Sequence, residues 1–248
     1  MYVEKYGKRV ISMDPVIEEL RKEFAALGDE EIRRSGRRFF KESVNLYGIK
    51  TAVVTKIAKE YFKKLKGLTK ADTFALCEEL WKSGMMEESF VACNWSYALR
   101  KEYAEEDFAV FERWVFEYVG NWASCDTLCN HTIGAFIEMY PGYMERLKAW
   151  TASGNRWVRR ASAVSLIVPA RNGLFLDDVF DIAERLLPDA DDLVRKGYGW
   201  LLKASCEKHE DEVYRYVLSR KDVMPRTALR YAIEKMPPEK KREAMKRS

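Results

Sequence analysis

The chain has 248 residues, 47% hydrophobic and 13% aromatic, which is enough to bury a sizeable core and excludes an intrinsically disordered segment. It has no apolar run near the ~18 residues that span a bilayer, and it begins with the charged stretch MYVEKYGKRVISMDP rather than a secretory signal, so a cytoplasmic protein is expected (nucleoid-associated if prokaryotic) with no membrane partner. A formal net charge of +4 is too small to name a partner by itself, and five cysteines scattered at 77, 93, 125, 129 and 206 beside two histidines, His131 and His209, give neither a zinc site nor a disulfide framework; no metal and no cofactor are expected.

In chain order the elements read as helices. DPVIEELRKEFAAL opens with Asp14 as N-cap and Pro15 at the first helical position, then repeats Ile17, Leu20, Phe24 and Leu27 at helical spacing. From Ile32 to Lys66 eleven Lys and Arg stand against two acids, Glu42 and Glu60, and RRSGRRFFK (Arg33–Lys41) interleaves aromatics with cations. Such a one-sided basic region suits a polyanion. TAVVTKIAKEYFKKL sets Val54, Ile57, Ala58, Tyr61, Phe62 and Leu65 on one stripe. ADTFALCEELWK and EDFAVFERWVFEYV behave likewise, although from Asp72 to Glu112 the charge balance reverses to ten acids against three bases. Breakers fall between the segments: Gly67, Gly84, Gly120, Pro141–Gly142, Gly154, Pro188, Pro225 and Pro237–Pro238. No segment alternates apolar and polar residues at period two between turn signals, so no sheet is expected.

A repeat runs through the second half. WVRRASAVSL from Trp157 and LVRKGYGWLL from Leu193 share an apolar–Val–Arg–basic–small opening at an offset of 36 residues. Stepping back 35 from Trp157 reaches Trp122, and a further 36 reaches Met86. A helix-pair unit of this length stacks into a solenoid of the HEAT type. The expected fold is therefore all-α, an α-α superhelix of HEAT-like repeats with a concave face, in a single domain over residues 1–248 with 1–13 as a flexible extension. Equivalent positions line one surface, so Asp126 is expected to share it with Arg160 and Lys196. Trp122 lies four residues before Asp126 on one helical face, and Trp200 lies two turns along from Leu193. Gly197 and Gly199 inside that last helix cost about 1 kcal/mol each relative to Ala and point to close approach by a backbone or a ligand. Arg159, Arg160, Lys196 and Lys203 would form a cationic rim suited to phosphates. The remaining tryptophans, Trp157 among them, read as core; Asn121 reads as a helix cap and His131 as packing.

GNWASCD (Gly120–Asp126), Trp150–Ile167 and Arg195–Val217, taken with LYGIKT (Leu46–Thr51) and PRTALRYAIEKM (Pro225–Met236), resemble the AlkD-type DNA alkylation-repair glycosylases over most of the chain after about residue 15. The resemblance implies a HEAT-like fold and an enzyme that hydrolyses the N-glycosidic bond of cationic N3- and N7-alkylated purines in duplex DNA, in base-excision repair, without flipping the base into a pocket. It implies Trp122, Asp126 and Trp200 as catalytic residues and Arg160 and Lys203 as DNA contacts. Lys50 stands where many relatives carry an amide, and Phe39 where a tyrosine is expected, which removes a hydroxyl. With Arg159 and Lys196 these are the expected DNA-binding residues, and with no dimer signal the protein is expected to be a monomer. The alternative is a non-catalytic DNA-binding or scaffold protein of the same fold.

Overall fold

A computed structural model describes residues 15–246. Asp14 and the expected extension at 1–13 lie outside the described residues. Every regular element among the described residues is a helix, and the sole strand-like feature is a single parallel bridge between Asn45 and Met85. No helix is long and apolar enough to cross a membrane. The helices pack as two compact units, one ending at Trp95 and one beginning at Ser96, where the sequence suggests a single domain.

The first unit comprises α1 (Pro15–Leu27), α2 (Glu30–Arg37), α3 (Thr51–Lys64), α4 (Lys70–Lys82) and most of α5 (Met86–Ala98). Most of the predicted stripes are buried, Ile17, Leu20 and Phe24 in α1 and Val54, Ile57, Ala58 and Tyr61 in α3, but Leu27 at the end of α1 is exposed and Phe62 is half-buried. Thr69 and Asp72 close a reciprocal capping box on α4. Two buried carboxylates fix the segment that leads into α3. Glu87 accepts the backbone N–H groups of Tyr47, Gly48 and Ile49 at 3.1, 2.9 and 3.2 Å. Glu88 accepts the Tyr47 hydroxyl at 2.7 Å and the Arg21 guanidinium at 2.9 Å. Only glycine fits at position 48: its φ is +88°, and a Cβ would lie 2.1 Å from the Asp29 carbonyl oxygen.

The second unit carries the repeat. Its helices are α6 (Asp107–Glu117), α7 (Trp122–Thr127), α8 (Gly134–Met139), α9 (Met144–Trp150), α10 (Arg156–Val164), α11 (Ile167–Arg171), α12 (Leu176–Leu186), α13 (Asp192–Arg220), α14 (Arg226–Ala232) and α15 (Pro238–Met245). The four starts read from sequence, at Met86, Trp122, Trp157 and Leu193, coincide with α5, α7, α10 and α13 to within one residue. The last three are capped alike. Asn121 accepts the Ser124 N–H at 2.9 Å, Asn155 the Trp157 N–H at 2.9 Å, and Asp191 the Leu193 N–H at 2.8 Å. α10 packs between α7 and α13, while α9 packs against α12, so successive pairs form two layers. Phe108, Phe111, Phe136 and Trp150 fill the core near the start of the unit, with Phe108 and Trp150 stacked at 5.8 Å. α13 kinks at His209 (φ −136°, ψ 44°), whose ring nitrogen lies 3.0 Å from the Gly173 carbonyl oxygen.

Between α7 and α8 the helix passes through a π-helical turn, Leu128–Ile133, that no sequence pattern predicts. Gly134 follows it directly. A Cβ there would lie 2.9 Å from the Ser165 carbonyl oxygen, so the bare glycine lets this helix lie against the end of α10.

The glycines of α13 divide on the same ground. At Gly199 a Cβ would meet the Ala228 carbonyl oxygen and the Tyr231 Cβ, both at 2.8 Å; this is the close backbone approach expected from sequence, made by α14. At Gly197 the nearest atom is the Arg160 Cγ at 3.4 Å, an ordinary contact. Gly199→Ala is therefore expected to lower stability by about 1–3 kcal/mol through overpacking, whereas Gly197→Ala should be neutral or gain up to about 1 kcal/mol of helix propensity. Urea denaturation of the two variants beside wild type checks the contrast, and equal effects would contradict it.

Candidate functional site

Trp122 and Asp126 stand one turn apart on α7, and both are half-buried. The Asn121 cap fixes where this short helix begins, and hence the direction in which both side chains leave it. Opposite, α10 supplies Arg160. Its Nε donates to Asp126 Oδ1 and its Nη2 to Oδ2, each at 2.8 Å, in a two-pronged fork. Its Nη1 donates to the Leu193 carbonyl oxygen in the first turn of α13. Arg160 is only 5% exposed and the Asp126 side chain 14%. One guanidinium thus joins three consecutive repeats. Leu193, Gly197 and Trp200 follow one another at i, i+4 and i+7 on α13, and Gly197 faces Arg160. The half-buried Trp200 continues that face.

Burial pushes the Asp126 carboxyl above its usual range, and the hydrogen bonds and charge of Arg160 oppose that rise. Burial likewise works against the Arg160 charge, but its bonds to Asp126 hold the guanidinium above its usual value. Beside them Cys125 is fully buried, and burial pushes its thiol well up. It donates weakly to the Trp157 carbonyl oxygen at 3.7 Å and behaves as an inert core thiol.

The remaining sequence-chosen residues fall in three groups. Arg160 does not stand on a rim: it is an internal partner of Asp126, because the repeat sets the third position of one helix against the fourth of the preceding one. Arg159, Lys196 and Lys203 do lie at the surface, yet each holds a carboxylate. Arg159 pairs with Asp189 at 2.6 Å and also donates to the Ser153 and Gly154 carbonyl oxygens. Lys196 pairs with Asp192 at 2.8 Å, and Lys203 with Glu234 at 3.0 Å. Phe39 and Lys50 belong to the first unit. Phe39 is 73% exposed just beyond α2, and Lys50 is exposed at the N-cap of α3 on the loop that Glu87 holds. Trp157 is buried, as expected, with the Arg156 guanidinium 4.4 Å over its ring.

Sequence reasoning passed over Asn130. It lies inside the π-helical turn, four residues beyond Asp126, and its side-chain oxygen is buried with no hydrogen-bond partner. The π-helical turn breaks the ~3.6-residue period, so the sequence pattern does not place this side chain.

Residues 20–236 match the model of a family described as DNA alkylation repair enzyme. Among solved structures, a predicted DNA alkylation repair enzyme from Enterococcus faecalis shares the fold, with a TM-score of 0.75 at 15% identity, over 85% of this chain and 97% of that one. No curated protein matches.

Breaking a buried ion pair from one side leaves the other charge stranded, at a cost of about 3–5 kcal/mol. Arg160→Met is expected to destabilise the protein by about 3 kcal/mol or more and, by removing the opposing charge, to raise the Asp126 pKa further. Denaturation and carboxyl carbon-13 NMR titration check the two parts; an unchanged Asp126 titration would contradict the fork.

Proposed function

The chain belongs to the DNA alkylation repair enzyme family, and on that premise we propose that it is a DNA glycosylase that releases cationic N3- and N7-alkylated purines from duplex DNA. The observation that carries this reading is the Asp126 carboxylate, one helical turn beyond Trp122 and held from both oxygens by the Arg160 fork. An N3- or N7-alkylated purine already carries a positive charge and leaves as a neutral base, so it needs little acid catalysis. Breaking its glycosidic bond builds oxocarbenium character on the deoxyribose. A fixed carboxylate stabilises that cation and positions the attacking water. The two indoles pack on the sugar and offer π-faces to the positive charge.

Arg160 keeps the carboxylate ionised and aimed; it is a positioning residue. Lys196 and Lys203 exchange exposed carboxylate partners for phosphates, while Phe39 and Lys50 engage the backbone from the first unit. Asp126 stands on the face of a short helix and is reached across that face. We read the duplex as lying against the layer made by α7, α10 and α13 and, as the family resemblance implies, with the lesion left in the stack rather than flipped.

The test is release of 7-methylguanine from a duplex carrying one such base, by wild type and Asp126→Asn, below the melting temperature of both. Wild type is expected to release the base and the variant to lose about 10²-fold or more in rate. Because the ionised form is needed and burial raises its pKa, the wild-type rate should fall with decreasing pH along a limb above the ordinary aspartate range of ~4. Duplex binding by both proteins with no release from either would leave a DNA-binding member of the family without this activity.

A further inference from the structure

We propose that the end of α5 and the π-helical turn form a second DNA contact, a phosphodiester subsite built from Arg100, Tyr97 and His131. The proposal rests on the function above in one respect, that DNA is the substrate.

The three side chains form a row. The Arg100 guanidinium lies 4.5 Å over the Tyr97 ring and donates to the Tyr97 carbonyl oxygen at 3.3 Å. The His131 ring lies 5.2 Å from the Tyr97 ring at 47°. The row is braced from behind. Ser96, the residue before Tyr97, and Thr132, the residue after His131, are fully buried and share a hydroxyl–hydroxyl bond of 3.0 Å. The buried Tyr103 hydroxyl donates to the Ser96 carbonyl oxygen at 2.8 Å. The backbone on both sides of the row is therefore fixed while its polar edges reach solvent: Tyr97 and Arg100 are half-exposed and His131 is exposed, where sequence suggests packing.

The chemistry of those edges selects the ligand. A guanidinium has five N–H donors, and one serves the Tyr97 carbonyl. Arg159, Arg160, Lys196 and Lys203 all hold carboxylates. Arg100 holds none among the described residues. Burial lowers the His131 pKa, so near neutral pH its imidazole offers an N–H without a second positive charge beside Arg100. The guanidinium and the imidazole already lie against the Tyr97 ring. What remains is a cluster of donors around one unneutralised cation, which fits an anionic oxygen acceptor repeated along a strand. His131 lies five residues beyond Asp126, on the π-helical turn that continues α7. A strand whose sugar meets Asp126 would bring a flanking phosphate to the row.

The experiment uses the full chain and an undamaged duplex, with binding followed by fluorescence anisotropy across a salt series for wild type, Arg100→Ala, Arg100→Lys and His131→Ala. Circular dichroism melts establish that all are folded; Arg100 and His131 are surface side chains. Arg100→Ala is expected to weaken binding about fivefold or more and to flatten the dependence of log affinity on log salt by about 0.9, the share of one phosphate. Arg100→Lys should keep the slope, and His131→Ala should lower affinity with little change of slope. In 7-methylguanine release, Arg100→Ala should raise KM more than it lowers kcat. Wild-type duplex binding with Arg100→Ala unchanged in affinity and slope overturns the subsite. A wild type that binds and shows the Arg100 effect but releases no base supports the subsite and overturns only the glycosylase reading. No duplex binding by wild type overturns both.

Discussion

A guanidinium buried beneath a carboxylate decides how the second unit is built. Arg160 leaves α10, takes both oxygens of Asp126 on α7 and reaches the Leu193 carbonyl on α13. Gly197 on α13 faces the Arg160 side chain at ordinary van der Waals distance, so the guanidinium is seated against that helix without strain. The pair is costly to bury, and hydrophobic replacements of buried ion pairs are often as stable or more so. Its retention therefore makes more sense as a device for fixing one carboxylate than as a source of stability.

Much of this was legible in the sequence because a repeat converts distance along the chain into proximity. The caps Asn121, Asn155 and Asp191 recur at nearly constant intervals, and each is a short polar side chain before an apolar helix. The all-α class, the helix starts and the close approach at Gly199 follow from such local chemistry. The partners of the cations were not legible. Asp189 lies 30 residues from Arg159 and Glu234 lies 31 from Lys203, so each pairing depends on how neighbouring repeats stack. The placement of Arg160 shows the same limit. Register put it on the face of Asp126, but only the stacked helices reveal that the two side chains turn toward each other. The π-helical turn was hidden for a different reason: its i→i+5 bonds involve backbone alone, and Gly134 is as easily read as a break. Glu87 and Glu88 were hidden in a first turn where carboxylates are ordinarily solvated; here they are buried because the LYGIK loop brings three N–H groups and a hydroxyl to them.

The pairings also rank the cations. Lys196 and Lys203 hold their carboxylates at partly exposed sites, and surface pairs of that kind contribute about 0–1 kcal/mol. A phosphate displaces such a partner at little cost. Arg159 is different: the Asp189 side chain is 7% exposed, and two carbonyl oxygens also hold the guanidinium, so releasing it would strand a buried charge. Arg159 is therefore tied to the turn before α13 more firmly than Lys196 and Lys203 are to their partners.

The same reasoning resolves why a carboxylate belongs on a surface meant for a polyanion. An isolated aspartate there would repel each phosphate that approached. Asp126 is not isolated: at the distance of a phosphate, the fork presents a nearly neutral pair, and the opposite charges largely cancel. At the distance of a sugar in contact with the helix they do not cancel, because the carboxylate oxygens come first and the guanidinium lies behind them, more deeply buried. On the proposed glycosylase reading, the pair would tolerate the polyanion at long range and favour a developing cation at short range, with little reorganisation when that cation forms. Removing either partner spoils a different half of the arrangement. Without Asp126 there is no anion for the sugar to meet, and without Arg160 the carboxylate loses both its aim and the charge that keeps it ionised.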